Sequence, residues 1–265
     1  MSLLHVDFFS DVLGMCAEMD VILPAVSSGH IGVDGRNDGK KWKVLYLLHG
    51  MSDDHTIWQR YTSIERYADE KGIAVVMPTT HLGWYTDMHI GFKWFTYITD
   101  ELPKIVNSFF PNISDKRKDT FAAGLSMGGY GALKCALRAP DRFSWAASLS
   151  GGVDAADIVN SLDAGENDTL WYDIFGPKEQ VKGSFNDLFA AAEELKASGK
   201  ELPKLFMWCG TEDFLYKSNI RMRDHLNALG YDLAYSESSG DHRWKYWDEQ
   251  IRNVLDWLPV GEEEA

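Results

Sequence analysis

Apolar residues fall along this chain in two patterns. Short unbroken apolar runs, Val44-Leu45-Tyr46-Leu47-Leu48, Ile73-Ala74-Val75-Val76-Met77 and Leu205-Phe206-Met207-Trp208-Cys209, have the length and composition of strands buried on both faces. Three further segments, 120–123, 143–150 and 232–236, read as strands by their flanking turns. Between them lie stretches with apolar residues at helical spacing, predicting helices over 56–70, 92–110 (stopped by Pro111), 128–137 (stopped by Pro140) and 188–197, then one ending at Leu229 and a last one ending at Trp257. At the start, Leu3 to Phe9 and Met15 to Leu23 read as an antiparallel hairpin. Strands alternating with helices predict an α/β fold with a mostly parallel, doubly wound sheet and an N-terminal antiparallel hairpin.

Two stretches depart from this rhythm. Residues 27–41 carry Gly29, Gly32, Gly35 and Gly39 among polar residues and read as a surface loop. Residues 153–203 lose periodicity between two sheet strands, which predicts a small cap inserted into a single domain spanning 1–265. No linker or repeat argues for a second domain, and the acidic tail from Gly261 is expected to fray.

The chemistry centres on Gly124-Leu125-Ser126-Met127-Gly128. A strand that ends in Gly-x-Ser-x-Gly and reopens as a helix is the nucleophile elbow of the α/β-hydrolase fold. Gly124 and Gly128 allow strand and helix to approach closely, and Ser126 is held at the tip, at a helix N-terminus that favours a developing oxyanion. In this fold an acid and then a histidine follow in chain order, each on a loop after a strand. His225 falls mid-helix, which leaves His242 as the base. Glu212 and Asp213 both follow the preceding strand; the shorter Asp213 is preferred as the acid and Glu212 is its rival. The loop after Leu48 should supply one oxyanion donor, the Met51 N–H beside the permissive Gly50, with the Met127 N–H as the other. His49 reads as a structural neighbour of that hole. Trp84 and Tyr85 either wall a substrate pocket or pack their loop onto the core. His81, Asp87 and His89 match no familiar ligand spacing, so neither a metal nor a cofactor is expected.

Composition narrows the partners. The formal net charge of −14 repels a phosphate backbone, so nucleic acid is not an expected partner. With 45% hydrophobic residues, ten Trp and thirteen Phe, a large core can form, yet no uncharged apolar stretch is long enough to span a bilayer. The opening residues do not have the form of a signal peptide. Cys16, Cys135 and Cys209 are an odd, scattered set that suits reduced, buried thiols and a cytoplasmic protein. A sheet edge or aromatic cap surface could support a homo-oligomer.

Through Leu47-Leu48-His49-Gly50-Met51, Val76-Met77-Pro78, Gly83-Trp84-Tyr85-Thr86-Asp87, the elbow up to Gly131, Trp208 to Leu215 and Asp241-His242, the chain resembles the esterase D-like α/β-hydrolases, and most closely bacterial tributyrin esterases. The resemblance implies Ser126 as nucleophile, Asp213 as acid, His242 as base and Met51 and Met127 at the oxyanion hole. It implies hydrolysis of short-chain acyl esters. Relatives with S-formylglutathione, feruloyl, acetylxylan or mycolyl substrates share these motifs, so a thioesterase or carbohydrate esterase is the alternative. A non-catalytic module of the same fold would be expected to have lost a triad member or an elbow glycine.

Overall fold

The computed structural model describes residues 1–24, 40–161 and 168–260. Its eight strands are β1 (Ser2–Ser10), β2 (Met15–Leu23), β3 (Val44–Leu48), β4 (Ala74–Pro78), β5 (Thr120–Leu125), β6 (Trp145–Leu149), β7 (Lys204–Gly210) and β8 (Leu233–Ser238). They form one open sheet in the order β1-β2-β4-β3-β5-β6-β7-β8. β1 pairs antiparallel with β2 and β2 with β4, while every other neighbouring pair is parallel. The hairpin and the mostly parallel sheet are as the sequence predicts. Most of the glycine-rich loop, residues 162–167 of the segment between β6 and β7, and the tail from Gly261 lie outside the described residues.

Alternate residues of the central strands feed two cores. Leu45, Leu47, Phe121, Ala123 and Leu125 pack with the helices Ile64–Lys71 and Trp244–Trp257 on one face. Tyr46, Leu48 and Ala122 pack with the elbow helix Met127–Arg138 and with Leu188–Ser198 on the other. Strands covered on both faces need no polar alternation, which is why their sequences read as continuous apolar runs.

Two helices expected to be continuous are interrupted. The first is two short helices, Ile57–Tyr61 and Ile64–Lys71. The Thr62 hydroxyl bonds the Trp58 carbonyl and accepts the Ile64 N–H at 3.1 Å, a local alternative to the helical ladder. The second begins at Trp94, widens into a π turn at Tyr97–Glu101 and resumes as Leu102–Phe109. Pro103 has no N–H to continue the ladder, so the preceding turn opens. Glu101 then reaches the hairpin, accepting the N–H groups of Asp11 at 2.7 Å and Val12 at 3.1 Å and the Ser10 hydroxyl. The three cysteines are unpaired; Cys135 and Cys209 are buried as expected, but Cys16 is exposed, because it lies on an outward-facing position of the hairpin.

The elbow helix buries even a lysine. Lys134 is fully buried, donating to Thr86 Oγ1 at 2.8 Å and Asn186 Oδ1 at 2.6 Å, and its amine lies over the rings of Phe95, Tyr130 and Phe185. Burial, helped by the charge of Arg138, pushes this amine from the ordinary 10.5 down to about 7. Between those two values the unfolded chain holds a proton that the native chain does not, so this group's contribution to stability increases with rising pH. Below pH 7 the cost of a buried charge is present in full. Urea unfolding of wild type beside Lys134→Met should therefore show the difference moving in favour of wild type between pH 7 and pH 9. A difference independent of pH would contradict a neutral lysine.

Candidate active site

At the end of β5 the chain turns into the elbow helix within one residue. Ser126 occupies that corner with φ 52° and ψ −118°, a strained conformation for a residue with a side chain. Backbone bonds hold it there: its N–H donates to Leu149 O at 3.0 Å, and its carbonyl accepts from Gly152 at 3.0 Å and Tyr130 at 3.1 Å. A Cβ on Gly124 would come within 2.4 Å of the Gly128 backbone, and one on Gly128 within 2.3 Å of Leu48 O, so both positions require glycine. Met127 is the first residue of the helix, where an N–H has no intrahelical acceptor.

The turn after β3 lies against this corner. A Cβ on Gly50 would sit 2.7 Å from Leu125 Cδ1 and 3.8 Å from the Ser126 Cβ. His49 fixes the turn from beneath. Its Nδ1 donates to Gly50 O at 2.7 Å, and its Nε2 accepts the Thr80 N–H at 3.0 Å. Both ring nitrogens are thereby committed in the neutral form. Burial holds this imidazole down at about 4, so it stays uncharged at neutral pH. His49 is a structural residue, as its sequence position suggested. Tyr85 adds a further tie, donating its hydroxyl to His49 O at 2.9 Å. Met51 follows at the mouth of the turn and is partly exposed.

The ends of β7 and β8 bring a carboxylate and an imidazole together. His242 Nδ1 lies 2.8 Å from Asp213 Oδ2, and the other carboxylate oxygen of Asp213 accepts the Leu215 N–H at 2.9 Å. Burial alone would raise the Asp213 carboxyl; the hydrogen bond and charge of His242, with the Leu215 N–H, outweigh it and hold the group below the usual carboxylate range. The carboxylate is therefore ionised at neutral pH and held at the Nδ1 edge of the imidazole. Phe214 and Trp247 flank that ring, at centroid distances of 4.7 Å each.

Glu212, the rival acid, is used differently. Its carboxylate accepts the Gly240 N–H and lies 3.3 Å from the Ser239 hydroxyl, so it fastens the loop that carries His242. Gly210 permits this close approach, since a Cβ there would meet Gly240 O at 2.1 Å. Asp241 pairs with Arg243 at 2.7 Å and not with its neighbour's ring.

Ser126, Asp213 and His242 thus follow β5, β7 and β8 at one end of the sheet, with Gly50 and Met51 after β3. Ligand-binding loops of open α/β sheets gather at that end. Trp84 and Tyr85, both with positive φ, are buried. Tyr85 fills the space beside Gly131, and Trp84 packs edge-to-face on Tyr130, Trp171 and Phe175. His81, Asp87 and His89 do not gather into a ligand group among the described residues; Asp87 instead accepts the Thr96 N–H and hydroxyl, at 2.9 and 2.6 Å. Sequence reading missed the supporting roles of Glu212 and Tyr85. It also missed Arg221, which bonds Asp154 and Asp157 at 2.8 Å each and ties the helix after the Asp213 loop to the segment following β6. Adjacency to Asp213 was a signal for Glu212, but it pointed to a competing role.

This arrangement can be set beside known proteins. The family model described as "Putative esterase" matches residues 13–258. The chain belongs to that esterase family. An acetyl esterase of Caldicellulosiruptor saccharolyticus is 30% identical over 263 residues, covering 97% of this chain and 98% of the relative. The fluorophosphonate-binding serine hydrolase FphF of Staphylococcus aureus superposes with a TM-score of 0.86 at 36% identity, over 97% of this chain and 98% of that one. An S-formylglutathione hydrolase of the same species, FrmB, gives 0.83 at 35% identity, over 97% and 99%. The protein is an enzyme, a carboxylic ester hydrolase with the α/β-hydrolase fold.

If the esterase depends on a rigid turn after β3, Tyr85→Phe should lower kcat severalfold and cost about 1 kcal/mol of stability, the usual worth of one hydrogen bond. Stopped-flow kinetics with thermal unfolding checks this, and an unchanged kcat would show that the tie to His49 O does not serve the site. Glu212→Gln should lower kcat about tenfold or less, whereas Asp213→Asn should lower it by at least a thousandfold. Reversal of that order would make Glu212 the acid.

Proposed function

We propose that the esterase hydrolyses short-chain acyl esters through Ser126, His242 and Asp213. The observation that carries this reading is the 2.8 Å bond from His242 Nδ1 to Asp213. It commits Nδ1–H to the carboxylate and leaves Nε2 as the basic nitrogen, the state required to take a proton from a serine hydroxyl. His242 removes the proton of Ser126 as its Oγ adds to the ester carbonyl. The N–H groups of Met51 and Met127 stabilise the oxyanion, which Gly50 lets approach the backbone. His242 then protonates the departing alcohol. Water activated by the same imidazole attacks the acyl-enzyme, the carboxylic acid leaves, and Ser126 recovers its proton.

The segment 153–203 serves as a small cap within one domain. Supporting this are the Trp84 ring packed on Trp171 and Phe175, and the Tyr130 hydroxyl donating to Asn186 O at 2.8 Å. Trp84 is the cap-facing member of the substrate wall, and its Nε1 is buried with no acceptor among the described residues. Tyr85 shapes the wall from behind. No cofactor takes part in the reaction. Exposed, unpaired Cys16 suits a reducing compartment such as the cytoplasm.

A thioester substrate is the second reading, favoured by the likeness to FrmB. Hydrolysis of p-nitrophenyl esters with acyl chains from acetyl to lauroyl, beside a short acyl thioester, separates the two. The ester reading expects turnover concentrated on acetyl and butyryl esters and reduced by about four to six orders of magnitude in Ser126→Ala. A preference for the thioester would move the assignment to the second reading, and full activity in Ser126→Ala would overturn the nucleophile.

A further inference from the structure

At the other side of the hairpin, three residues from three elements converge. Asp20 on β2 is fully buried and stands opposite His5 on β1 in the strand register. His5 Nδ1 bonds Asp20 Oδ1 directly, and His55, from the segment leading into the helix Ile57–Tyr61, brings its Nε2 to 3.9 Å from the same oxygen. One ligand-type atom from each residue lies within 4.8 Å of the others. This group is separate from Ser126, Asp213 and His242, and nothing in the ester chemistry uses it.

We propose that His5, Asp20 and His55 form a binding site for one divalent transition-metal ion of the zinc type, with its fourth position open to water. Ligand chemistry is the first reason. Two imidazoles and one carboxylate are a donor set suited to zinc, which binds them at about 2.0–2.2 Å. In a tetrahedral site such donors stand about 3.3 Å apart. His55 Nε2 therefore needs to move by only about half an ångström toward Asp20, and the directly bonded His5–Asp20 pair has to open.

The surroundings are the second reason. His55 Nδ1 lies 2.7 Å from Thr79 Oγ1, so it can donate its proton there and present a bare Nε2 to the ion. That arrangement, a ligand imidazole fixed through its other nitrogen by an oxygen, is how metal-binding histidines are usually oriented. Asp20 Oδ2 accepts from Gln59 Nε2 at 2.6 Å, which leaves Oδ1 to face the two rings. Charge is the third reason. A carboxylate withdrawn from water calls for a positive partner, yet the described partners of Asp20 are two imidazoles and one neutral amide. Glu18 adds a second carboxylate, 3.6 Å from His55 Nδ1. With both histidines neutral, a divalent cation would balance the two anions. The side chain of His5 is 66% exposed, which gives the ion a way in.

Occupied, the site would bind the edge hairpin to the segment after β3, and so act on stability and not on the ester chemistry. Protein stripped with EDTA and dialysed is titrated calorimetrically with ZnCl2, and its thermal unfolding is followed with and without one equivalent. The expected result is one equivalent bound, a rise in the unfolding temperature, and unchanged turnover of p-nitrophenyl acetate. His5→Ala alters an exposed side chain and should fold normally. It and His55→Ala each remove a ligand and should weaken binding by at least about tenfold, the low end of the loss from an outer-shell change, and remove the thermal shift. Cobalt(II) should give the intense visible bands of a four-coordinate ion in wild type and not in His55→Ala. No stoichiometric binding, or binding undiminished in both variants, would overturn the proposal.

Discussion

Everything in the catalytic end of this esterase depends on the close approach of two backbones at the elbow. Glycine at 124 and 128 lets the helix Met127–Arg138 press onto β5 and against the end of β3, where a single Cβ would collide with the Leu48 carbonyl. The strain concentrated at Ser126 is held by bonds to Leu149, Gly152 and Tyr130, which belong to the neighbouring strand, its loop and the helix. The corner is therefore tied at once to a strand, a loop and the helix. A side chain fixed in this way needs little reorganisation when charge develops nearby, which is the condition under which fixed dipoles are most effective.

The other loops are anchored by the same means, side chains that bond backbone. His49, neutral and bonded at both nitrogens, sets the Gly50 turn, while Tyr85 reaches across to the His49 carbonyl. Glu212 clamps the His242 loop and Asp213 orients the ring. Glu101 does the same for the remote hairpin turn. His49, Tyr85, Glu212 and Glu101 are each a polar group that could have read as a reactive residue and instead works on the position of a loop.

The sheet was legible because its strands are covered on both faces, so apolar runs such as residues 44–48 and 205–209 carry an unmixed signal. The elbow, and with it Ser126, was legible because steric necessity writes glycine into the sequence. That His242 and Asp213 would meet was an expectation from chain order, and the two do share a hydrogen bond. What sequence could not give was local competition with the helical ladder, by the Thr62 hydroxyl and by Pro103, which broke two expected helices. Nor could it separate Asp213 from Glu212 except by side-chain length, since both sit in one turn and only geometry shows which one meets the imidazole. Trp84 and Tyr85 share one loop, but the split between them, one ring packed on Trp171 and Phe175 and one hydroxyl tying down the turn, is a property of tertiary packing. The gathering of His5, Asp20 and His55 is invisible to any short motif, because strand register and a distant loop create it.

The central claim is that Ser126 alone carries the activated oxygen. An alkyl fluorophosphonate tests it directly, because the serine oxygen forms a bond to phosphorus, fluoride leaves, and the adduct persists for mass spectrometry. The account predicts one adduct per chain, mapped to Ser126, and labelling slowed by at least a thousandfold when His242 is replaced by alanine. An adduct at another residue, or labelling of Ser126 at an undiminished rate without His242, would contradict it.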